Sequence, residues 1–413
     1  MDVVVVGAGL AGLACARSLQ ARGLEVRVLE AGDAVGGRVR TDHVDGFTLD
    51  RGFQLLNPAY PAVRELVDVD ALDLRAFLPG VAVRRDDRLA LLADPRRAPL
   101  LLGRTLVDGL RSGLLRPDEL LRLARWAAPA LGPVQRALAA PDTSLAASLD
   151  GAGVEGPLRR AVLEPFLAGV LAEDDGTTSA AFVRLLVRAF LRGTPGVPAA
   201  GMAALPAQLA EGVPDVRLGV RVDRVEPHGP GVRVHADDGV TDARAVVVAT
   251  DAPAAERLVG VPAPVMKGLT THWYATDAAP TLLPAVVVDG RDRGPVVNAA
   301  VVSLVAPGYA PAGQHLVQAT VLHHGRRRGA DEPQVRAHAG EVLGTDPRGW
   351  REVVRHVIPA ALPAQPPPLV TRRDVVVGDG LFVCGDHRDT ASIQGALVSG
   401  RRTARAVAHH LTR

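Results

Sequence analysis

Lysine is almost missing from this chain. One lysine, Lys267, stands among 47 basic residues, so arginine carries the positive charge nearly alone. With the abundant Ala, Gly and Pro, we read this as GC-rich coding bias. The formal net charge is only +2, which excludes the strong positive field of a nucleic-acid binder. Cysteine is scarce as well. Cys15 in a helix-like segment and Cys384 in a strand-like one exclude a disulfide framework and fit a reducing compartment. No cluster with metal-ligand spacing is present, and no metal is expected. No run of about 18 apolar residues is available to span a bilayer. The opening "MDVVVVGAGLAG" has no basic n-region, so no signal peptide is expected and a cytoplasmic location is the default. What remains is a chain of 413 residues, 47% hydrophobic and 22% charged, ordinary for a globular protein of about two domains.

The first thing present in strength is a motif. "DVVVVGAGLAGLACARSLQARGLEVRVLEA" opens on four valines, as a parallel strand buried on both faces does, and passes through Gly7-x-Gly9-x-x-Gly12 into a helix with apolar Leu10, Leu13, Ala14 and Leu19. Gly7 permits the tight turn, Gly9 lets the backbone approach a pyrophosphate, and Gly12 lets helix and strand pack closely. The helix N-terminus offers N–H donors and a positive dipole end to the phosphates. A second strand, "EVRVLEA", ends in Glu30, placed to accept a ribose hydroxyl and unfavourable to a 2′-phosphate. This context predicts dinucleotide binding; the bland alternative is a glycine turn that only packs.

Beyond Glu30 comes "AGDAVGGRVRTDHVDGFTLDRGFQLLNPAYP", with the Gly36-Gly37-Arg38 doublet and Asp50-Arg51-Gly52. Near the other end, "GLFVCGDHRDTASIQGALVSGRRTARAV" runs from a strand through Gly385-Asp386 into a long helix beginning at about Ile393. With these segments the sequence resembles the flavin-containing amine oxidoreductase superfamily, which holds amine oxidases, protoporphyrinogen oxidases and phytoene-type desaturases. The segments "DRGFQ" and "CGDHRDTASIQGALVSGR" are similar to bacterial phytoene-dehydrogenase-related FAD oxidoreductases.

The resemblance implies an α/β fold with a Rossmann-type, glutathione-reductase-like FAD-binding domain and an α+β substrate domain. It implies that Gly36, Gly37 and Arg38 wrap a non-covalent FAD, with Ala31, Gly52 and Phe53 as further contacts. An arginine usually stands two residues before the doublet; this chain has Ala34. The resemblance also gives Asp386 a ribityl hydroxyl, and aims the last helix, from Ser392 and Ile393, at the flavin pyrimidine. Backbone N–H groups there would stabilise charge on the reduced ring. The plain alternative for Asp386 is a helix cap.

Two middle segments extend the likeness. "VPAAGMAALPAQLA" matches a Gly-Met segment leading a helix, and "VRLGVRVDRVEPHGPGVRVHADDGVTDARAVVVATDAP" reads as strands separated by turns. The resemblance implies that Val222 in this stretch takes the adenine edge through its backbone. The expected FAD-binding domain is therefore discontinuous, residues 1–72, 199–258 and 371–413, and the substrate domain is 73–198 and 259–370. Residues 96–140 and 155–193 have helical spacing with arginines on the polar face. Such helices fit either a peripheral membrane contact or a solvated domain surface. Residues 259–370 carry strand-like runs and should form a sheet beneath the substrate.

For the reaction, the likeness implies an FAD-dependent oxidoreductase in which hydride leaves a C–H bond of a small molecule, with few side chains needed. Amine-oxidising members place an aromatic near the start of the last helix. Ser392 or Ile393 stands there, and aromatics are 3% of the chain. This favours a lipophilic, isoprenoid- or polyene-like substrate and desaturase chemistry; the alternative is an FAD-dependent amine oxidase. Lys267 in "PVMKGLTTHWY" stands where many amine oxidases hold a water against the flavin, and is the candidate catalytic residue. It equally fits a chance survivor of coding bias. His387 and Arg388 face either the flavin or solvent.

Overall fold

The computed structural model describes residues 1–412 except 87, 140, 327 and 328. Residue 140, the last of the first helical insert, and residue 413, the last of the C-terminal segment, lie outside the described residues. The protein has a mixed α/β fold built on two large sheets.

The four valines explain the first sheet. Val3–Val6 lies at its centre, parallel to Val26–Glu30 on one side and to Ala245–Val248 on the other. Leu381–Val383 and Val216–Leu218 extend it in parallel, and Val376–Gly378 closes one edge antiparallel. Because side chains alternate along a strand, Val3 and Val5 pack against the helices while Val4 and Val6 pack against a second layer. All four are buried, each contributing on the order of 1.5–3 kcal/mol of apolar burial. The helix layer is Leu10–Gln20 beside the C-terminal helix Ile393–Leu411. Gly400 lets the two helices touch, since a Cβ there would lie 2.2 Å from the Ala11 carbonyl oxygen. The opposite layer is a three-stranded antiparallel sheet, Val222–His228, Gly231–Ala236 and Gly239–Ala243, whose Val225, Val232 and Val234 meet Val4 and Val6.

The second sheet has seven strands, in the order Arg351–Pro363, Met266–Thr276, His315–Leu322, Val296–Val301, Val286–Asp289, Gly80–Arg84 and Leu89–Ala93. All neighbours are antiparallel except Val286–Asp289 with Gly80–Arg84. The helix Glu332–Leu343 covers one face. The other face looks toward the loop at Gly52 and the helix Glu164–Leu171. The inserts are helical in shorter pieces than their periodicity implies. Leu102–Arg111, Pro117–Ala127 and Val134–Ala139 occupy the first, and Glu164–Leu171 and Ala180–Arg192 the second. The breaks fall at Gly113, at Gly132-Pro133 and at Gly176, residues that stop helices.

Candidate active site

The carboxyl ends of the parallel strands bring the separate motifs to one edge. Gly7 adopts φ +106°, a conformation a side chain would strain. A Cβ on Gly12 would lie 2.0 Å from the Gly7 carbonyl oxygen, so this position admits glycine alone. At Gly9 the outcome is opposite: a Cβ there would meet nothing within 4 Å. The space before Gly9, at the N-terminus of the helix Leu10–Gln20, is open, as a phosphate cradle requires. Glu30 ends its strand facing this turn and accepts the N–H of Ala8 at 2.7 Å and of Gly32 at 2.8 Å. Ala31 follows it, exposed.

Gly36 and Gly37 close over the same turn. The Gly36 N–H donates to the Ala8 carbonyl at 2.8 Å, and Gly9 and Gly36 form a parallel bridge. A Cβ on Gly37 would come 3.4 Å from the Cα of Gly9. Arg38 then crosses to the far strand end, donating to Asp386 Oδ1 at 2.7 Å and to the Ala361 carbonyl at 2.6 Å. Asp386 is buried and does not cap the last helix. Ser392 does, its hydroxyl accepting the Gly395 N–H at 3.0 Å, while Ile393 packs on the core. Val222 opens its strand two residues after Val220, whose N–H donates to the Glu30 carbonyl at 2.9 Å.

His387 is 3% exposed, and neither ring nitrogen has a hydrogen-bond partner among the described residues. Its ring lies over Gly385, in the field of Asp386, Arg388, Arg38 and Asp251. Burial pushes the imidazole down to about 4, so it is neutral at pH 7. Arg388 turns outward and donates to the Asp374 carbonyl. The two His387 nitrogens are sealed from the surface as well as unpartnered, so it is the open glycine turn at Gly9 that fits a polar ligand along this strand edge.

Gly52 and Phe53 join this edge to the second sheet. A Cβ on Gly52 would lie 2.6 Å from Ile358 Cδ1, and the Phe53 N–H donates to Thr271 Oγ1 at 3.3 Å. From Thr271 a buried polar thread runs across the sheet through Thr320 and Gln318 to Asn298. Lys267 lies on the same strand as Thr271. Its ammonium is ion-paired with Glu173 and donates to Thr178 Oγ1 at 2.9 Å. Glu173, 7% exposed, also accepts the Thr178 N–H at 2.8 Å.

Sequence reasoning missed Glu173, whose only signal is an acid in the turn "AEDDGTTS". It also gave Asp50 no task. That carboxylate accepts from Thr41 Oγ1 at 2.6 Å, Met202 N at 2.8 Å and Tyr309 Oη at 2.9 Å, tying the Gly-Met segment to the Asp50-Arg51-Gly52 loop. Burial pushes the Asp50 carboxyl up, against the pull of those three donors.

The family model for flavin containing amine oxidoreductases matches residues 10–408. The chain belongs to this family. It is a flavin-dependent oxidoreductase whose cofactor is FAD, held non-covalently. Both thiols are fully buried, and the hydrogen bond with Cys384 together with burial pushes the Cys15 thiol up, so neither is presented to a flavin. The chain is 54% identical to putrescine oxidase of Kocuria rosea over 67 residues, 16% of this chain and 14% of that protein. It is 38% identical to hydroxyneurosporene desaturase of Rhodobacter capsulatus over 97 residues, 24% of this chain and 17% of that one. The matched stretches thus span less than a fifth of either relative's length. An oxidoreductase from Methanosarcina mazei shares the fold, with TM-score 0.75 and 18% identity over 98% of this chain and 100% of that one. Among the described residues no helix is long and apolar enough to cross a membrane.

Proposed function

We propose that this flavin oxidoreductase removes hydride from a C–H bond of a lipophilic, isoprenoid- or polyene-like molecule, as a desaturase or dehydrogenase does. Residues 1–72, 199–258 and 371–413 act as the Rossmann-type FAD-binding domain, and 73–198 and 259–370 as an α+β substrate domain. The cradle at Gly9, Gly36 and Gly37 takes the pyrophosphate, Glu30 the adenosine ribose, and Arg38 and Asp386 the ribityl end. Bound there, FAD supplies the acceptor for the hydride's electron pair.

The start of the last helix carries the choice of substrate. Ser392 uses its hydroxyl on the Gly395 N–H and Ile393 packs on the core, so this position offers no ring to an amine. Lys267 supports the same reading. Its charge balances Glu173, so that buried carboxylate does not attract a cationic substrate. Leu269, Ile358 and Leu362 supply apolar surface near Gly52 and exclude water.

Titration of the purified flavoprotein with long-chain isoprenoids and with diamines tests this, read as a perturbation of the flavin absorption band. Apolar ligands should perturb it and diamines leave it unchanged. One observation favours amine oxidation as the second reading: the stretch shared with putrescine oxidase. A diamine-specific perturbation would promote it.

A further inference from the structure

The helix Leu102–Arg111 is inside out. Its buried positions are Thr105 and Gly109, while Leu102, Leu106 and Leu110, one side of the helix at a spacing of four, are 43%, 46% and 66% exposed. The inward side is polar for a reason: Thr105 Oγ1 accepts the Ala93 N–H at 3.1 Å, and Asp108 Oδ2 the Leu91 N–H at 3.0 Å. These two bonds satisfy the free edge of the strand Leu89–Ala93 and fix which side faces out.

The exposed apolar surface continues along the chain through Leu120, Leu121, Leu131, Val134 and Leu138. Ten of the seventeen exposed large hydrophobic side chains among the described residues fall between 100 and 138, about a tenth of the chain. Such concentration on a soluble surface marks an interaction site.

Charge selects the occupant. Residues 94–139 hold eight arginines against Asp94, Asp108, Asp118 and Glu119, a net +4 where the whole chain carries +2. Arg96 is paired with Asp94 and Arg97 turns inward to the Phe190 carbonyl, which leaves the positive surface to the other six. Glu119 is buried on the backbone N–H groups of Leu158 and Arg159. A second copy in a two-fold contact would set this positive surface against itself. An anionic surface with an apolar interior meets both features.

We propose that this helical insert docks the protein on a bilayer bearing anionic lipid headgroups, with the leucines entering the interface and the arginines against the headgroups. This goes beyond the substrate reading and stands without it. The test is flotation of the FAD-loaded protein with vesicles of phosphatidylcholine alone and of phosphatidylcholine mixed with phosphatidylglycerol. The wild-type protein should float with the anionic vesicles and bind the neutral ones more weakly. Leu106→Glu with Leu110→Glu should weaken binding by at least about tenfold. Arg111→Glu should weaken it by about fivefold or more on anionic vesicles. Leu282→Glu, at a still more exposed leucine outside the insert, should change nothing. An unaltered flavin spectrum shows that each variant is folded. Wild-type protein that floats with neither vesicle overturns the proposal, as does a double-glutamate variant that binds undiminished. So does a dimer in sedimentation velocity that the double variant dissolves while vesicles stay bare, which would assign the surface to a second copy.

Discussion

The Arg38 guanidinium and the Asp386 carboxylate meet at 2.7 Å, joining two residues 348 positions apart in the chain. Asp386 is 5% exposed, so the contact is a buried bridge between the loop over the glycine turn and the last strand of the first sheet. Removing either partner leaves the other charge uncompensated in a buried place.

Asp386→Ala should therefore release FAD. A hydrogen bond to a charged group contributes about 1.5–3 kcal/mol, so the dissociation constant should rise roughly tenfold or more. Fluorescence titration of the apoprotein with FAD measures it. Unchanged affinity would show that the carboxylate serves Arg38 alone.

The two glycines of the turn should separate stability from binding. Gly9→Ala puts its methyl into open space at an ordinary φ of −71°, so the apoprotein should melt near wild type while FAD binding falls. Gly12→Ala drives a methyl against the Gly7 carbonyl and should lose both. Melting curves with and without FAD distinguish the outcomes.

His387 sets an acid sensitivity. Burial holds its folded value at about 4, against about 6.5 in an unfolded chain, so the unfolded chain takes up the proton first. Its contribution to stability is complete above about pH 6.5 and is lost as pH falls toward 4. FAD-free wild type should lose melting temperature over that window, and His387→Leu should lose less.

Glu173→Ala should strand the Lys267 ammonium in a site where its side chain is 13% exposed, costing about 3–5 kcal/mol. The double replacement Glu173→Leu with Lys267→Met should recover much of that loss in chemical denaturation. A double variant as unstable as the single one would mean the pair is not coupled.

The motifs legible in the sequence are those whose logic is local. Gly7 to Gly12 and Glu30 lie within one strand-turn-helix-strand unit, and their spacing carries their geometry. Asp386 was legible through its neighbours, although its partner Arg38 was not, because nothing local says which distant charge a strand end will meet. Glu173 failed for the same reason: its partner is 94 residues away. The helical periodicity of residues 96–140 was plain, yet its direction was not. A stripe of leucines reads the same whether it faces in or out, and only the two bonds to the strand Leu89–Ala93 decide it. The strand Met266–Thr276 was legible through the resemblance at Lys267 and not through periodicity, because "MKGLTTHWYAT" mixes polar and apolar residues, as a strand does that serves a polar thread on one face.

The substrate claim has one most direct test: anaerobic mixing of the oxidised flavoprotein with candidate substrates in a stopped-flow spectrometer. The account predicts that isoprenoid or polyene substrates bleach the flavin band and that mono- and polyamines leave it oxidised for as long as the mixture is watched. Rapid bleaching by a simple amine would contradict it, and would make Lys267 and Glu173 the first residues to replace.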